Sequence, residues 1–294
     1  MRQYILPILF VFALFLVACS DQQTSNETAD EKKDEAANQK EDANEVEEQQ
    51  ETKEEQSQET VKNEEIEEVE EPLYQVEAET SSIIPLDKNV GTNENVVLLT
   101  IDDVPENNAI KMAETLKEHD ASAIFFVNGH FINTDEGAEK LKKIHEMGFP
   151  IGNHTYSHPD LTTISEEEQT EEIVSVSDRV EEIIGERPKF FRAPHGKNTE
   201  HSKEVVKEEG MALMNWTYGY DYFKPYMNAE KLKQAMITGE GPEAGVDYSL
   251  LKPGANLLMH DREWTSEALG DIIEGLREEG YEMVNPNLIQ TPGN

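Results

Sequence analysis

The chain has 294 residues and a single cysteine, Cys19, so no disulfide can form within it and any folded part is held by its core alone. Positive charge is scarce: 25 Lys and Arg stand against 62 Asp and Glu, a formal net charge of −37. That balance excludes a basic groove for nucleic acid and argues against charge-driven binding to anionic lipid headgroups. Residues 21–71 lack aromatic residues, glycine and proline altogether, and carry 21 Asp or Glu against 5 Lys. Such a stretch cannot bury enough apolar surface to offset its chain entropy, so it reads as a disordered, self-repelling spacer. Long apolar runs are missing too. The run from Tyr4 to Val17 is too short for a membrane-spanning helix and suits the core of a signal peptide over residues 1–18, with Arg2 as its early positive charge. No repeat occurs at solenoid or propeller periods.

The apolar run ends in Leu16-Val17-Ala18-Cys19, which resembles the lipobox of bacterial lipoproteins. The resemblance implies that Cys19 is lipidated, becomes the mature N-terminus and anchors the chain to the membrane on its extracytoplasmic side. Residues 19–71 would then be an acidic linker holding the rest of the chain off the surface, an arrangement that suits a Gram-positive cell surface.

From Pro72 the composition turns globular. After a lead-in segment (72–95), residues 96–290 suffice for one domain with a sizeable core. Strand and helix patterns alternate. Val96–Thr100, Ala123–Val127, Phe149–Gly152, Phe190-Phe191, Met211–Trp216, Ala255–Met259 and Tyr281–Val284 read as strands. Between them Asn108–His119, Gly137–Met147, Glu166–Ile184, Lys203–Glu209, Ala229–Thr238 and Ser266–Glu279 have helical spacing. The alternation predicts an α/β fold with a largely parallel sheet, open or closed as a barrel. Sites in such folds gather at the C-terminal ends of strands.

"LLTIDDVPENN" places Asp102 and Asp103 at one such end, where two adjacent carboxylates repel and need a reason to be there. "GNHTYSHPDL" spaces His154 and His158 four apart, which on a helical turn would put both imidazoles on one face. An HxxxH pair alone is weak. Joined by an aspartate from another strand end, it becomes a sufficient protein ligand set for a catalytic zinc with an open position. The second aspartate is then free to take a proton from a water held at that position.

Five segments in order, "LTIDDVP", "AIFFVNG", "FPIGNHTYSHPDL", "FFRAPHG" and "LLMHD", resemble the motifs of the polysaccharide deacetylases, carbohydrate esterase family 4, the NodB-homology domain. The likeness covers roughly residues 90–290. It implies a distorted (β/α) barrel, a divalent metal (usually Zn²⁺, with Co²⁺, Mn²⁺ or Ni²⁺ as alternatives) and hydrolysis of N-acetyl groups on a cell-wall polysaccharide such as peptidoglycan. Asp103, His154 and His158 match the metal ligands and Asp102 the catalytic base. Arg192 matches the arginine that pairs with that base. His260 matches the acid that protonates the departing amine, and Leu258 a wall of the acetyl pocket. The main-chain N–H of His195 matches an oxyanion donor. Asp221, in "NWTYGYDYF", is matched to the aspartate that orients the acid histidine, and Tyr222 to an aromatic wall.

The pattern departs from the family in places. Val104 stands where a glycine is usual and predicts a reshaped loop. His195 stands in place of a tyrosine, and the spacing of Asp221 from Trp216 is irregular. Trp216 and Met259 read as core. His119, His130, His145 and His201 lie outside the motifs and read as structural or solvated. The same residues leave two other readings open: an inactive or weak glycan-binding relative, and an O-acetyl esterase.

Overall fold

A computed structural model describes residues 71–87 and 91–293. The expected signal peptide, Cys19 and the acidic linker before Glu71 lie outside the described residues. Among the described residues no helix is long and apolar enough to cross a membrane.

A short antiparallel hairpin, β1 (Tyr74–Val76) and β2 (Ile83–Pro85), leads into the alternating part. There β3 (Val96–Val104), α1 (Ala109–Glu118), β4 (Ala123–Val127), α2 (Asp135–Glu146) and β5 (Ile151–Asn153) come first. They are followed by α3 (Glu166–Ile184), β6 (Phe190–Phe191), α4 (Glu200–Glu208), β7 (Ala212–Leu213) and α5 (Ala229–Thr238). The last elements are β8 (Ala255–His260), α6 (Glu263–Glu278) and β9 (Glu282–Met283). The main sheet runs β7-β6-β5-β4-β3-β8, with β9 also paired to β3, and every pairing is parallel.

The sheet curls until its two ends meet. Residues running on from β7 reach the free edge of β8, where Thr217 N–H donates to the Asn256 carbonyl (2.7 Å) and Leu258 N–H to the Tyr218 carbonyl (2.8 Å). Gly219 permits this approach, because a Cβ there would collide with the Leu258 carbonyl. The result is the expected distorted barrel.

Side-chain alternation along the strands sorts the interior into layers. On β3, Val97, Leu99 and Ile101 face the helices, while Val96 and Leu98 join Ile124, Phe126 and Phe190 in an apolar floor inside the curl. Each such buried side chain is worth about 1.5–3 kcal/mol. Tyr74 and Ile83 of the hairpin pack into the same floor, so the lead-in segment belongs to the domain and plugs its base. Above the floor lie buried polar groups, Thr100, Arg192 and Asn256, and above those Asp102, His154 and His260.

Several elements match their expected bounds, and their ends explain why. Glu166–Ile184 opens with a capping box between Ser165 and Glu168 and stops at Gly185, whose φ of 81° suits glycine. Two expectations are corrected. The strand expected over 211–216 is only Ala212–Leu213, because the chain then leaves β6 to bridge to β8. His154 and His158 are not on a helical turn. The segment between them is irregular, with Thr155 and His158 at φ 64° and 61°, and Pro159 disfavours helical backbone at His158.

Candidate active site

Asp102 and Asp103 end β3 in different ways. Asp102 keeps the strand alternation and points into the curl, buried to 2 % exposure. Asp103 turns to φ 59°, which sends its side chain toward the loop after β5. Thr155, His158 and His195 share this left-handed backbone. Non-glycine residues pay for it in strain, and its concentration here marks a built site.

The loop after β5 is shaped by side-chain contacts. Asn153 accepts the Thr155 N–H through Oδ1 (2.9 Å), and Asn128 donates to the His154 carbonyl (2.6 Å). His154 donates from Nδ1 to the Arg192 carbonyl at 2.7 Å, which leaves the Nε2 lone pair facing the aspartates. Asp103 Oδ1 lies 3.7 Å from His158 Nε2 and 3.9 Å from His154 Nε2. One ligand atom from each of the three residues lies within 4.8 Å of the other two. Two imidazoles and a carboxylate so converged fit a divalent metal of the zinc type. Burial and the neighbouring His154 push His158 down to about 4 against the pull of Asp103, so its ring is neutral at pH 7, as a ligand requires.

Asp102 stands beside this triad, its Oδ2 3.5 Å from His154 Nε2. Its Oδ1 accepts from Arg192 Nη1 at 2.7 Å. The fully buried Arg192 also donates to Thr100 Oγ1 (2.7 Å), the Asn215 carbonyl (2.8 Å) and Asn256 Oδ1 (3.1 Å). Its guanidinium lies 4.4 Å from the centre of the Phe126 ring. Burial alone would raise the Asp102 carboxyl, but the charge and hydrogen bond of Arg192, with the charge of His260, outweigh it and hold the group below the usual range.

His260, at the end of β8, pairs in register with Asp102. Its Nδ1 contacts Asp221 Oδ1 at 2.8 Å, and its backbone N–H donates to Asp221 Oδ2 at 2.6 Å. Thr265 Oγ1 donates to the same oxygen (2.9 Å), and Trp264 holds the Asp221 carbonyl. Asp221 is fully buried and faces the imidazole despite its irregular spacing in the sequence. Burial would lower His260, but the charge and hydrogen bond of Asp221 win and push it up to about 9. The ring is therefore protonated at neutral pH.

The other expected residues surround this centre. Leu258 is buried two residues before His260 on the same face of β8. Tyr222 is 43 % exposed and sets its ring edge-on to His260 at 5.6 Å. His195 is exposed, its ring 5.0 Å from that of His158. Met259 is core, as expected. Trp216 is not: it is half-buried beside Arg192, its ring centre 5.9 Å from the guanidinium. His119 and His145 meet glutamates at the surface, and His201 meets Thr170. Val104 carries no left-handed backbone. It is fully buried and pairs with Val127, after a break in the β3–β4 register between Ile101 and Val104.

Sequence reasoning missed Asp261. Its buried carboxylate accepts the backbone N–H groups of Glu106, Asn107, Asn108 and Ala109, fixing the loop after β3 and the start of α1. A side chain capping a helix some 150 residues away leaves no local signal beyond its place next to His260.

The family described as polysaccharide deacetylase matches residues 89–214. A peptidoglycan-N-acetylmuramic acid deacetylase of Bacillus subtilis is 31% identical over 196 residues, covering 65% of this chain and 69% of that protein. A peptidoglycan-N-acetylglucosamine deacetylase of Bacillus cereus is 29% identical over 201 residues, 68% of this chain and 70% of that one. Among solved structures, a Bacillus anthracis pseudoenzyme of the CE4 family aligns with a TM-score of 0.57 at 27% identity, over 65% of this chain and 63% of the other. The chain thus spans about two thirds of the length of these proteins.

Proposed function

The chain belongs to the polysaccharide deacetylase family, and from that premise we propose that it is an active, metal-dependent hydrolase of N-acetyl groups on peptidoglycan. The observation that carries the reading is the coexistence of two separate devices around one point: the Asp103-His154-His158 triad, and Asp102 with His260 on either side of it. A protein that only held glycan would need neither an ionised buried carboxylate nor a protonated imidazole there.

Each residue has a task in that reaction. Asp103, His154 and His158 would hold the metal, which would polarise the acetyl carbonyl and acidify a water. Asp102, kept ionised by Arg192, takes the proton of the attacking water. The N–H of His195 shares the charge developing on the carbonyl oxygen. His260, kept protonated by Asp221, gives its proton to the departing amine, which would otherwise leave poorly. Leu258 walls the acetyl methyl, and Tyr222 offers an aromatic face to the sugar.

Peptidoglycan is supported by the relatives' substrates, which include both of its amino sugars. A place on the outer face of the membrane, tethered through Cys19, is supported by the lipobox resemblance and the acidic spacer. The likeness to a pseudoenzyme favours a second reading, glycan binding without turnover. Acetate release from purified peptidoglycan and chitooligosaccharides, with Zn²⁺ supplied and then chelated, separates the two. Metal-dependent release supports the enzyme; binding with no release supports the pseudoenzyme.

A further inference from the structure

Arg262 stands two residues beyond His260, in extended backbone (φ −126°, ψ 152°) at the start of α6. Its guanidinium donates from Nη2 to Asp103 Oδ2 (3.1 Å) and from Nη1 to Glu106 Oε2 (2.9 Å). The two oxygens of Asp103 are thereby divided. Oδ1 faces His154 and His158, and Oδ2 is taken up by Arg262. The arrangement is tied down from both sides. Glu106 lies on the loop whose N–H groups are gripped by Asp261, the residue before Arg262. Two consecutive residues after β8 thus fix both the main chain and the carboxylates at the end of β3.

We propose that Arg262 is a positioning residue for Asp103: it keeps one carboxylate oxygen away from the metal, so that Asp103 supplies a single ligand atom. This rests on the metal reading of the triad. A carboxylate left free can chelate through both oxygens and fill a position that water or the acetyl oxygen needs. A guanidinium is suited to prevent that, because its charge is permanent and its planar fork matches a carboxylate edge. Glu106 balances the added positive charge, so that Arg262 does not stand bare beside a second cation. A donor on Oδ2 also draws electron density from Oδ1, which would leave a bound metal a stronger Lewis acid.

The pair contributes little to folding. The Arg262 side chain is 36 % exposed and that of Asp103 17 %, and ion pairs so open to water are worth little. Arg262→Ala therefore unfolds close to the wild-type temperature, while its metal site changes.

The test loads the metal-stripped full chain with Co²⁺, whose visible absorption weakens as the ion gains ligands, and compares wild type, Arg262→Ala and Arg262→Lys. The expected result is a weaker band in Arg262→Ala, with kcat for acetate release down by about 10- to 100-fold and KM little changed. Arg262→Lys, which keeps the charge but not the fork, recovers part of both. Coincident spectra and kcat in wild type and Arg262→Ala overturn the proposal while the metal reading stands. A wild-type chain that takes up no cobalt overturns the metal reading and this proposal together.

Discussion

Arg192 and Asp102 form a buried ion pair, 2.7 Å between Nη1 and Oδ1, directly beneath the candidate metal site. The guanidinium keeps two further side-chain partners and a backbone carbonyl in the same layer. Breaking a buried pair on one side leaves the other charge uncompensated, at a cost of about 3–5 kcal/mol. Arg192→Ala is expected to lose that much in urea unfolding and to lose acetate release as well. Arg192→Lys recovers little of either, since one ammonium cannot reach Asp102, Thr100 and Asn256 at once.

His260 and Asp221 set the alkaline limit of activity. His260 is held at about 9, so the acid form is lost, and activity falls, as pH rises through that value. Asp221→Asn removes the charge that raises it, and the alkaline limb of the kcat profile moves to lower pH. Stability follows the same sign. A folded-state value raised above the ordinary 6.5 stabilises the fold fully below pH 6.5, and that contribution disappears between about 6.5 and 9. Asp221→Asn lacks this slope, which thermal melts at stepped pH detect.

Metal binding couples to stability through the triad. A ligand held only by the folded chain and present at 100 times its Kd adds about 2.7 kcal/mol. Zn²⁺ raises the melting temperature of the wild type, a chelator reverses it, and His154→Ala or His158→Ala abolishes the response. His154 is the costlier loss to the metal-free fold, because it is buried and hydrogen-bonded to the Arg192 carbonyl while His158 is half-exposed.

Asp261→Ala withdraws the acceptor of four backbone N–H groups at the head of α1. Hydrogen bonds to a charged group contribute about 1.5–3 kcal/mol each, so the variant is expected to lose at least that much in urea unfolding. It also loses activity, because the end of β3 carries both aspartates.

How far the sequence revealed this molecule depended on how local each signal was. Helical periodicity and caps sufficed for Glu166–Ile184 and Ala229–Thr238, and a continuous apolar run for Ala123–Val127. The hairpin Tyr74–Pro85 is too short to show a period, and it is held by packing into the barrel floor. The histidine pair met its aspartate without the helix that its spacing suggested, because Asn153, Asn128 and Pro159 shape an irregular loop instead.

The residues beyond reach were those whose partners are distant in the chain. Asp261 meets Glu106, Arg262 meets Asp103, and Trp216 meets Arg192, and no window of sequence contains either encounter at the end of β3. Val104 is the converse case. A missing glycine suggested a distorted loop, yet the left-handed backbone falls on Asp103, one residue earlier, where a carboxylate is to be aimed. Restoring glycine by Val104→Gly is therefore expected to destabilise by about 1.5–3 kcal/mol, the worth of one buried valine, without raising activity.

Deacetylation of the cell wall by this chain should depend on Asp102 as the base. The direct measurement is mass spectrometry of muropeptides, released from purified peptidoglycan after incubation with the zinc-loaded full chain or with Asp102→Asn. The predicted result is muropeptides lighter by C2H2O, an acetyl group less the hydrogen that replaces it, with the wild type, and none with Asp102→Asn. Unchanged muropeptides from a wild-type chain that demonstrably holds zinc, or equal deacetylation by Asp102→Asn, would contradict it.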